Sequence, residues 1–130
     1  MDRRRAASGS PYETAIGFSR AIRVGERILV SGTAPVEADG SSTPGDASAQ
    51  AERCCAIIVA AIEELGGKSS DVVRTRILLR QAADAQAVGA VHARWFSSAR
   101  PASTMVVVAA LLRPEWQVEI EAEAMLQPET

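Results

Sequence analysis

The sequence predicts an α+β fold in which two helices cover one face of a mostly antiparallel sheet. Three observations carry this prediction. Two strand-like runs come first, two segments with helical apolar spacing follow with a strand-like run between them, and two further strand-like runs close the chain. That order is typical of helices packed on one side of a sheet. With 130 residues, of which 47% are hydrophobic, residues 1–130 are expected to form one domain.

The first predicted elements are an N-terminal segment and a hairpin. Residues 1–15 contain the basic run Arg3–Arg5 and are expected to be flexible or extended. Residues 17–31 predict a hairpin, because two apolar runs flank Gly25 and Glu26, a two-residue turn that begins with glycine.

The first helix is predicted after an exposed loop. Residues 35–46 are rich in Pro, Gly, Ser and Asp, which is typical of a loop, and Asp46 is a suitable N-cap. Gly66 and Gly67 predict a left-handed cap at the C-terminal end of this helix. Between these caps, one apolar stripe repeats at three- and four-residue spacing, at Ala51, Cys54, Cys55, Ile58, Ile62 and Leu65.

A strand and a second helix are predicted next. The run "DVVRTRILLR" is expected to alternate between the two faces of the sheet. One face would carry Val73, Thr75, Ile77 and Leu79, and the other Arg74, Arg76, Leu78 and Arg80. The second helix would have Asp84 as its N-cap and an apolar side made by Val88, Val91 and Trp95.

The last two strands are predicted over residues 104–111 and 117–125. In the final strand alternate apolar residues would face the helices, so that the other face carries Glu119, Glu121 and Glu123. Arg74 and Arg76 of the neighbouring strand are expected to pair with these carboxylates. The run "MVVVAALL" does not alternate, which indicates a strand that is apolar on both faces. Because two helices cover only one face, we expect another copy of the chain to cover the second face in a homo-oligomer.

Composition and missing motifs exclude several kinds of partner. The net charge of −2 gives no reason to expect nucleic acid or a membrane as a partner. The adjacent Cys54 and Cys55 cannot close a loop, which fits a reducing cytoplasm, and we interpret them as buried thiols rather than nucleophiles. His92 is the one histidine and is interpreted as a packed or surface residue rather than a general base. Without a phosphate loop or a set of metal ligands, we expect no cofactor and no metal.

The candidate functional residues lie at strand ends. Gly32, in "SGT", either lets a ligand approach the backbone or ends the strand. Arg100, Ser103 and Glu119 are expected to cluster near the starts of the last two strands. An arginine there suits a carboxylate ligand, and a glutamate can position or deprotonate water.

Three segments together resemble a known family. They are "VGERILVSGTAP", "DVVRTRILL" and "RPASTMVVVAALLRPEWQVEIEAEA", and the likeness extends over about residues 17–124. They resemble the reactive intermediate deaminases, the Rid or YjgF family, also called endoribonuclease L-PSP. This resemblance implies a chorismate-mutase-like sandwich and a homotrimer whose sheets face one another, with ligand clefts between subunits. Members with deaminase activity hydrolyse 2-imino acids to 2-keto acids and ammonia.

The resemblance also implies roles for individual residues. Gly32 would border the ligand and Glu119 would hold the attacking water, whereas Phe18 stands in place of a tyrosine. Ser103 stands where those members carry the arginine that grips the substrate carboxylate. A hydroxyl cannot balance a desolvated carboxylate, so either Arg100 or Arg20 compensates or the ligand is a different one. We expect Glu119 to be catalytic and the ligand to contact Phe18, Ser31, Gly32, Arg100 and Ser103.

Two functions are left open. The chain either hydrolyses a reactive imine, an enamine or a related small carbonyl compound to a keto product, or it is a non-catalytic trimer that binds a small metabolite. RNA cleavage is disfavoured, because the chain is acidic and has few aromatic residues.

Overall fold

The computed structural model describes residues 2–128 of the chain. Three α-helices and six strands lie within this range. In chain order they are β1 (Arg3–Ala6), α1 (Pro11–Ile16), β2 (Ala21–Val24), β3 (Arg27–Thr33), α2 (Ala47–Glu64), β4 (Val72–Leu79), α3 (Ala85–Phe96), β5 (Ala102–Val107) and β6 (Val118–Met125). No helix in the described range is both long and apolar enough to cross a bilayer.

The six strands form one sheet in the order β1-β2-β3-β6-β4-β5. Neighbouring strands are antiparallel except β4 and β5, which are parallel. Strand β6 is central, and its alternate apolar residues share one core with α2 and α3. The predicted α+β architecture, a mostly antiparallel sheet with two main helices, is therefore confirmed.

Helix α2 forms where the sequence predicts it. The Asp46 carboxylate accepts a hydrogen bond from the Ala49 backbone N–H at 2.9 Å, and Gly66 adopts a φ of 95° just past the last turn. Such a φ suits glycine and ends the helix. All six residues of the predicted apolar stripe are at most 1% exposed.

Strand β4 differs from its predicted alternation at one end. Thr75, Ile77 and Leu79 are buried as expected, but Val72 is buried and Val73 is 43% exposed. The pairing with β6 shifts between Val72 and Arg74, which marks a β-bulge or similar irregularity. A bulge moves a side chain to the other face, so the prediction that Val73 shares a face with Thr75, Ile77 and Leu79 was wrong.

Helix α3 differs from expectation at both ends. Asp84 occupies the N-cap position, but its side chain makes no capping hydrogen bond. Near the other end, Phe96 is the fully buried aromatic, and Trp95 lies at the core margin with its indole N–H donating to Glu52 Oε2 at 2.7 Å. The tryptophan takes the margin because its N–H needs a polar partner.

The sheet edge and the N-terminal segment also depart from the sequence prediction. Strand β5 ends at Val107, short of the predicted residue 111, because its partner β4 ends there; the last ladder bond runs from the Val108 N–H to the Leu79 carbonyl. Residues 1–15 are expected to be flexible or extended; β1 is extended, but α1 is a helix that the sequence analysis did not predict. Residue 1 lies outside the described residues.

We expect Asp46→Ala to lower the free energy of unfolding by about 1 kcal/mol, because it removes the helix cap. Asp46→Asn keeps an acceptor at the same position and should stay close to the wild type. Urea denaturation at fixed protein concentration measures both variants. Equal destabilisation by alanine and asparagine would contradict the capping role.

Candidate ligand site

A cavity of about 370 Å³ opens between the ends of β3 and β6, helix α1 and the loop that precedes β6. Its walls combine aromatic, aliphatic and polar side chains, with one arginine and one glutamate. The lining residues are Tyr12, Phe18 and Trp116; Ile16, Ala34, Val36, Ile57 and Leu112; Ser8, Ser10, Ser31 and Gly32; and Arg20 and Glu119.

Glu119 and Gly32 face each other in this cavity. A Cβ atom built on Gly32 would lie 2.5 Å from Glu119 Oε2, much closer than such atoms approach in proteins. The register between β3 and β6 shifts between Val30 and Thr33, which brings Gly32 beside Glu119. A side chain at this position would therefore have to displace the carboxylate, a neighbour that the sequence did not indicate.

The environment of Glu119 disfavours its charged form. Burial raises the pKa of the Glu119 carboxyl above its ordinary value; the Arg20 guanidinium opposes this shift and Glu121 adds to it. A glutamate with a raised pKa in a cleft is well suited to exchange protons with a ligand or a water molecule.

Arg20 forms the floor of the cavity. Its side chain is only 6% exposed, and Nη2 donates a hydrogen bond to the Gly32 carbonyl oxygen. Nη1 lies 3.9 Å from Glu13 Oε2, and the guanidinium carbon lies 5.5 Å from the centre of the Phe18 ring. Burial lowers the pKa of Arg20, and the nearby Glu13 and Glu119 carboxylates oppose that shift. Arg20 thus ties helix α1 to the strand end that carries Gly32.

The mouth of the cavity is held by an aromatic cluster around Arg113. The Tyr12 and Trp116 rings meet edge to face with centroids 5.8 Å apart, and the Arg113 guanidinium lies 5.8 Å from each ring centre. Arg113 Nε also donates to the Tyr12 hydroxyl oxygen at 3.0 Å. These contacts fasten α1 to the loop that precedes β6.

Sequence reasoning missed this mouth because it treated residues 1–15 as a tail. The local signals of α1 were nevertheless present. Ser10 caps the helix by accepting from the Tyr12 N–H, Pro11 occupies the first turn, and Gly17 ends the helix with a φ of 90°. This combination is typical of a short helix.

Two of the three alternating glutamates form cross-strand ion pairs, and one of these pairs involves a predicted arginine. Glu121 binds Arg76 at 2.7 Å. Glu123 lies opposite Arg74 in the register, but its carboxylate pairs with Arg27 at 3.3 Å. The prediction was right for Arg76 and wrong for Arg74, because β3 supplies a competing arginine on the other side of β6.

The structure brings Phe18, Ser31, Gly32 and Glu119 together, but it separates them from Arg100 and Ser103. The latter two lie just before and within β5, and β4 stands between β5 and β6. The expected cluster of Arg100, Ser103 and Glu119 is therefore not formed within one chain. The reason is long-range, since β5 pairs in parallel with β4 and the chain crosses over before β6.

Ser103 belongs to a separate chain of hydrogen bonds. Thr75, fully buried, donates to the Ser103 hydroxyl oxygen at 2.8 Å, and its own oxygen lies 2.7 Å from His92 Nε2. Thr75 therefore connects Ser103 to the His92 ring. Burial lowers the pKa of His92, which favours the neutral ring. His92 is thus a packed residue, as predicted.

The cysteines are inert in this structure. Burial raises the pKa of Cys54 well above its ordinary value and that of Cys55 to about 12. Both are therefore protonated thiols at neutral pH, in agreement with the sequence interpretation. The described residues contain no group of three or more His, Cys, Asp and Glu side chains placed to bind a metal.

Known proteins resemble this chain in sequence and structure. The family model of endoribonuclease L-PSP matches residues 9–126. The crystal structure of a YjgF/YER057c/UK114 family member from Mycobacterium tuberculosis matches with a TM-score of 0.87 and 39% identity, over 96% of this chain and 100% of that one. This likeness confirms the chorismate-mutase-like sandwich implied by the sequence resemblance.

Two curated relatives extend the comparison. An uncharacterised protein of Streptomyces coelicolor is 38% identical over 93% of this chain and 90% of its own. The 2-iminobutanoate/2-iminopropanoate deaminase of Escherichia coli is 31% identical over 85% of this chain and 89% of its own. The chain therefore belongs to the Rid/YjgF family, which the endoribonuclease L-PSP model describes.

Proposed function

We propose that the protein hydrolyses a reactive imine, or a related small carbonyl compound, to a keto product in the cavity beside Glu119. The observation that carries this proposal is the Glu119 carboxyl, which burial shifts toward its neutral form and which stands against the glycine backbone of β3. The deaminase name of the relative from Escherichia coli supports the same reaction class.

The reaction can be written with Glu119 as the proton carrier. Ionised Glu119 accepts a proton from water while the water oxygen bonds to the imine carbon and the C=N electron pair moves to nitrogen. The same proton passes to that nitrogen, which yields a carbinolamine. Glu119 then takes the hydroxyl proton and delivers it to nitrogen, so that C=O forms, the C–N bond breaks and ammonia leaves. Proton transfer of this kind contributes roughly 10²–10⁴-fold to a rate.

We also propose that the chain works as a homotrimer, in the cytoplasm. Met105 of β5 packs against the core, so Val106 beside it points to the other face, next to Leu78 in the register. Val106 is 41% exposed on a single chain. A sister copy would cover this apolar strip, and it would bring Arg100 and Ser103 toward a neighbouring cavity. The two buried free cysteines support a reducing compartment.

A second candidate is a non-catalytic trimer that binds a small metabolite in the same cavity. Ser103 favours it, because a neutral hydroxyl already bonded to Thr75 replaces the arginine implied by the family resemblance. Binding to a metabolite panel without release of ammonia from freshly generated imines would select this candidate. Release of ammonia above the buffer rate at micromolar protein would select the hydrolase.

We expect Glu119→Gln to reduce ammonia release by about 10²–10⁴-fold, because glutamine cannot carry the proton. Glu121→Gln, on the same strand but paired with Arg76, should leave the rate unchanged. Steady-state kinetics of both variants, with freshly generated imine, make the comparison. Full activity of Glu119→Gln would exclude the mechanism.

The same Glu119→Gln variant should unfold at a higher temperature than the wild type at pH 8. Folding raises the pKa of Glu119, so the folded protein holds this proton more tightly than the unfolded chain. The wild type therefore loses stability as pH rises from the ordinary carboxyl pKa through the raised one, whereas glutamine does not titrate. The difference in melting temperature should vanish at acidic pH, and an unchanged difference from pH 4 to pH 8 would argue against the raised pKa.

We expect Gly32→Ala to fold but to lose activity. The new methyl group would displace the Glu119 carboxylate, which lies at the movable end of its side chain, so the cost in stability is small and the cost in rate is large. Gly89→Ala is the matched control, because a Cβ there meets nothing within 4 Å and alanine favours helix α3. Circular dichroism and ammonia release distinguish the two, and an active Gly32→Ala would show that the carboxylate position is not critical.

We expect Val106→Asp to dissociate the oligomer, because a trimer would bury the new carboxylate without a partner. Val106→Thr keeps the branched shape and should remain assembled. Sedimentation velocity at low micromolar concentration tests both variants and the wild type. A wild-type protein that sediments as a stable, folded monomer would overturn the trimer proposal.

A further inference from the structure

Three side chains outside the cavity form a continuous chain of hydrogen bonds. The Thr75 hydroxyl oxygen lies 2.8 Å from the Ser103 hydroxyl oxygen and 2.7 Å from His92 Nε2. Ser103 is exposed on a single chain, Thr75 is fully buried, and His92 is half-buried on α3. These hydrogen bonds therefore run from a surface hydroxyl, through a hydroxyl in the core, to an imidazole at the margin of the core.

The second ring nitrogen of His92 is in contact with solvent. Among residues 2–128, Nδ1 has no hydrogen-bond partner, yet the one buried side-chain nitrogen or oxygen atom without a partner is Arg20 Nε. Nδ1 is therefore accessible to water. The Phe96 ring packs against the imidazole with centroids 5.0 Å apart. A histidine placed in this way can take up a proton at Nδ1 while it releases one from Nε2.

Protons can be donated along this chain in either direction. A hydroxyl both donates and accepts, and neutral imidazole carries its proton on either nitrogen. With hydrogen on Nε2, His92 donates to Thr75, Thr75 donates to Ser103, and the Ser103 proton is left for a group outside the chain. With hydrogen on Nδ1, Thr75 donates to Nε2 and Ser103 donates to Thr75. The passage of one proton along the chain converts the first arrangement into the second.

We propose that Ser103, Thr75 and His92 form a proton relay that serves hydrolysis in a neighbouring cavity of the trimer. This inference rests on the proposed function, in which a sister copy brings Ser103 toward that cavity. Once the sister copy covers Ser103, its hydroxyl exchanges protons with solvent through Thr75 and His92. Ser103 is then a catalytic residue that contacts the substrate, and the other two residues act through it.

The relay delivers the proton on which the departure of ammonia depends, in place of the second delivery by Glu119. Ser103 gives its hydroxyl proton to the carbinolamine nitrogen, Thr75 replaces that proton, and His92 Nε2 replaces the proton of Thr75. His92 takes up a proton from solvent at Nδ1, so its ring stays neutral. Glu119 takes the carbinolamine hydroxyl proton while C=O forms and the C–N bond breaks. Glu119 then releases this proton to solvent, so one proton enters and one leaves.

Thr75 variants test the relay at its buried member. Thr75→Val keeps the branched shape but removes the hydroxyl, so ammonia release should fall at least about tenfold, less than the full effect of a general acid because Glu119 remains. Thr75→Ser keeps a hydroxyl and should retain most of the rate. Freshly generated imine is the substrate, in H₂O and in D₂O. Because the relay moves several protons together, the solvent isotope effect should be smaller for Thr75→Val than for the wild type.

Full activity of a folded Thr75→Val variant, or an unchanged isotope effect, would overturn the relay. If Thr75→Val does not fold, Ser103→Ala takes its place, because Ser103 is exposed on the single chain. Ser103→Thr, which keeps a hydroxyl, is then the control, and the same two outcomes decide.

His92 variants distinguish a relay from a packing role. His92→Gln keeps a hydrogen-bonding group beside Thr75 but cannot exchange protons at neutral pH, so the rate should fall. Imidazole added to the buffer should restore part of that rate, because it can supply protons where the ring is missing. Glu121→Gln is the control and should not respond to imidazole. Wild-type activity of His92→Gln, or a loss that imidazole does not reduce, would contradict the relay.

The proposed function and the relay fail in different ways. A wild-type protein that releases no ammonia from any imine would remove the hydrolase and the relay together. An active wild type whose Thr75→Val and His92→Gln variants are equally active would keep the hydrolase and refute the relay alone. An active wild-type monomer would also refute the relay alone, because Ser103 would then have no neighbouring cavity to serve.

Discussion

The alternation of the central strand β6 is the constraint on which the rest of the structure depends. Its apolar residues fill the core below α2 and α3, and its glutamates are directed away from that core. A slip by one residue would exchange the two faces and bury the charges, so the register is strongly specified. Each strand beside β6 supplies an arginine that forms an ion pair with one of its glutamates, Arg76 from β4 and Arg27 from β3. Glu119 differs because it meets the irregular end of β3 instead.

Beside this irregular end of β3, Glu119 is suited to proton exchange rather than to an ion pair between strands. Opposite Leu78 and beside Gly32, Glu119 loses water without gaining a close cross-strand partner. Its raised pKa follows from that burial and makes the folded state less stable at neutral pH than an uncharged residue would. Functional sites commonly carry such locally unfavourable groups. The other two glutamates on this face of β6, Glu121 and Glu123, instead form ion pairs with arginines of the neighbouring strands.

The sequence predicted the features that depend on local periodicity and missed those that depend on distant partners. The stripe of α2 and the alternation of β6 follow from spacing alone, and both were confirmed. The exposure of Val73 depends on a bulge against β6, which spacing along β4 cannot show. Gly32 and Glu119 were named from strand ends and a family resemblance. Tyr12 was missed because its partner Arg113 lies about a hundred residues away.

A single arginine links the architecture of the cavity to its chemistry. Because Arg20 holds the Gly32 carbonyl oxygen and faces Glu13, moving it to follow a charged ligand would loosen both α1 and the strand end. An arginine that has to move in order to bind a charged ligand is better placed on an exposed loop, as Arg100 is. A buried arginine with two such contacts instead holds the two elements in a fixed arrangement. Arg20 therefore fixes the position of the Gly32 backbone against which the Glu119 carboxylate stands.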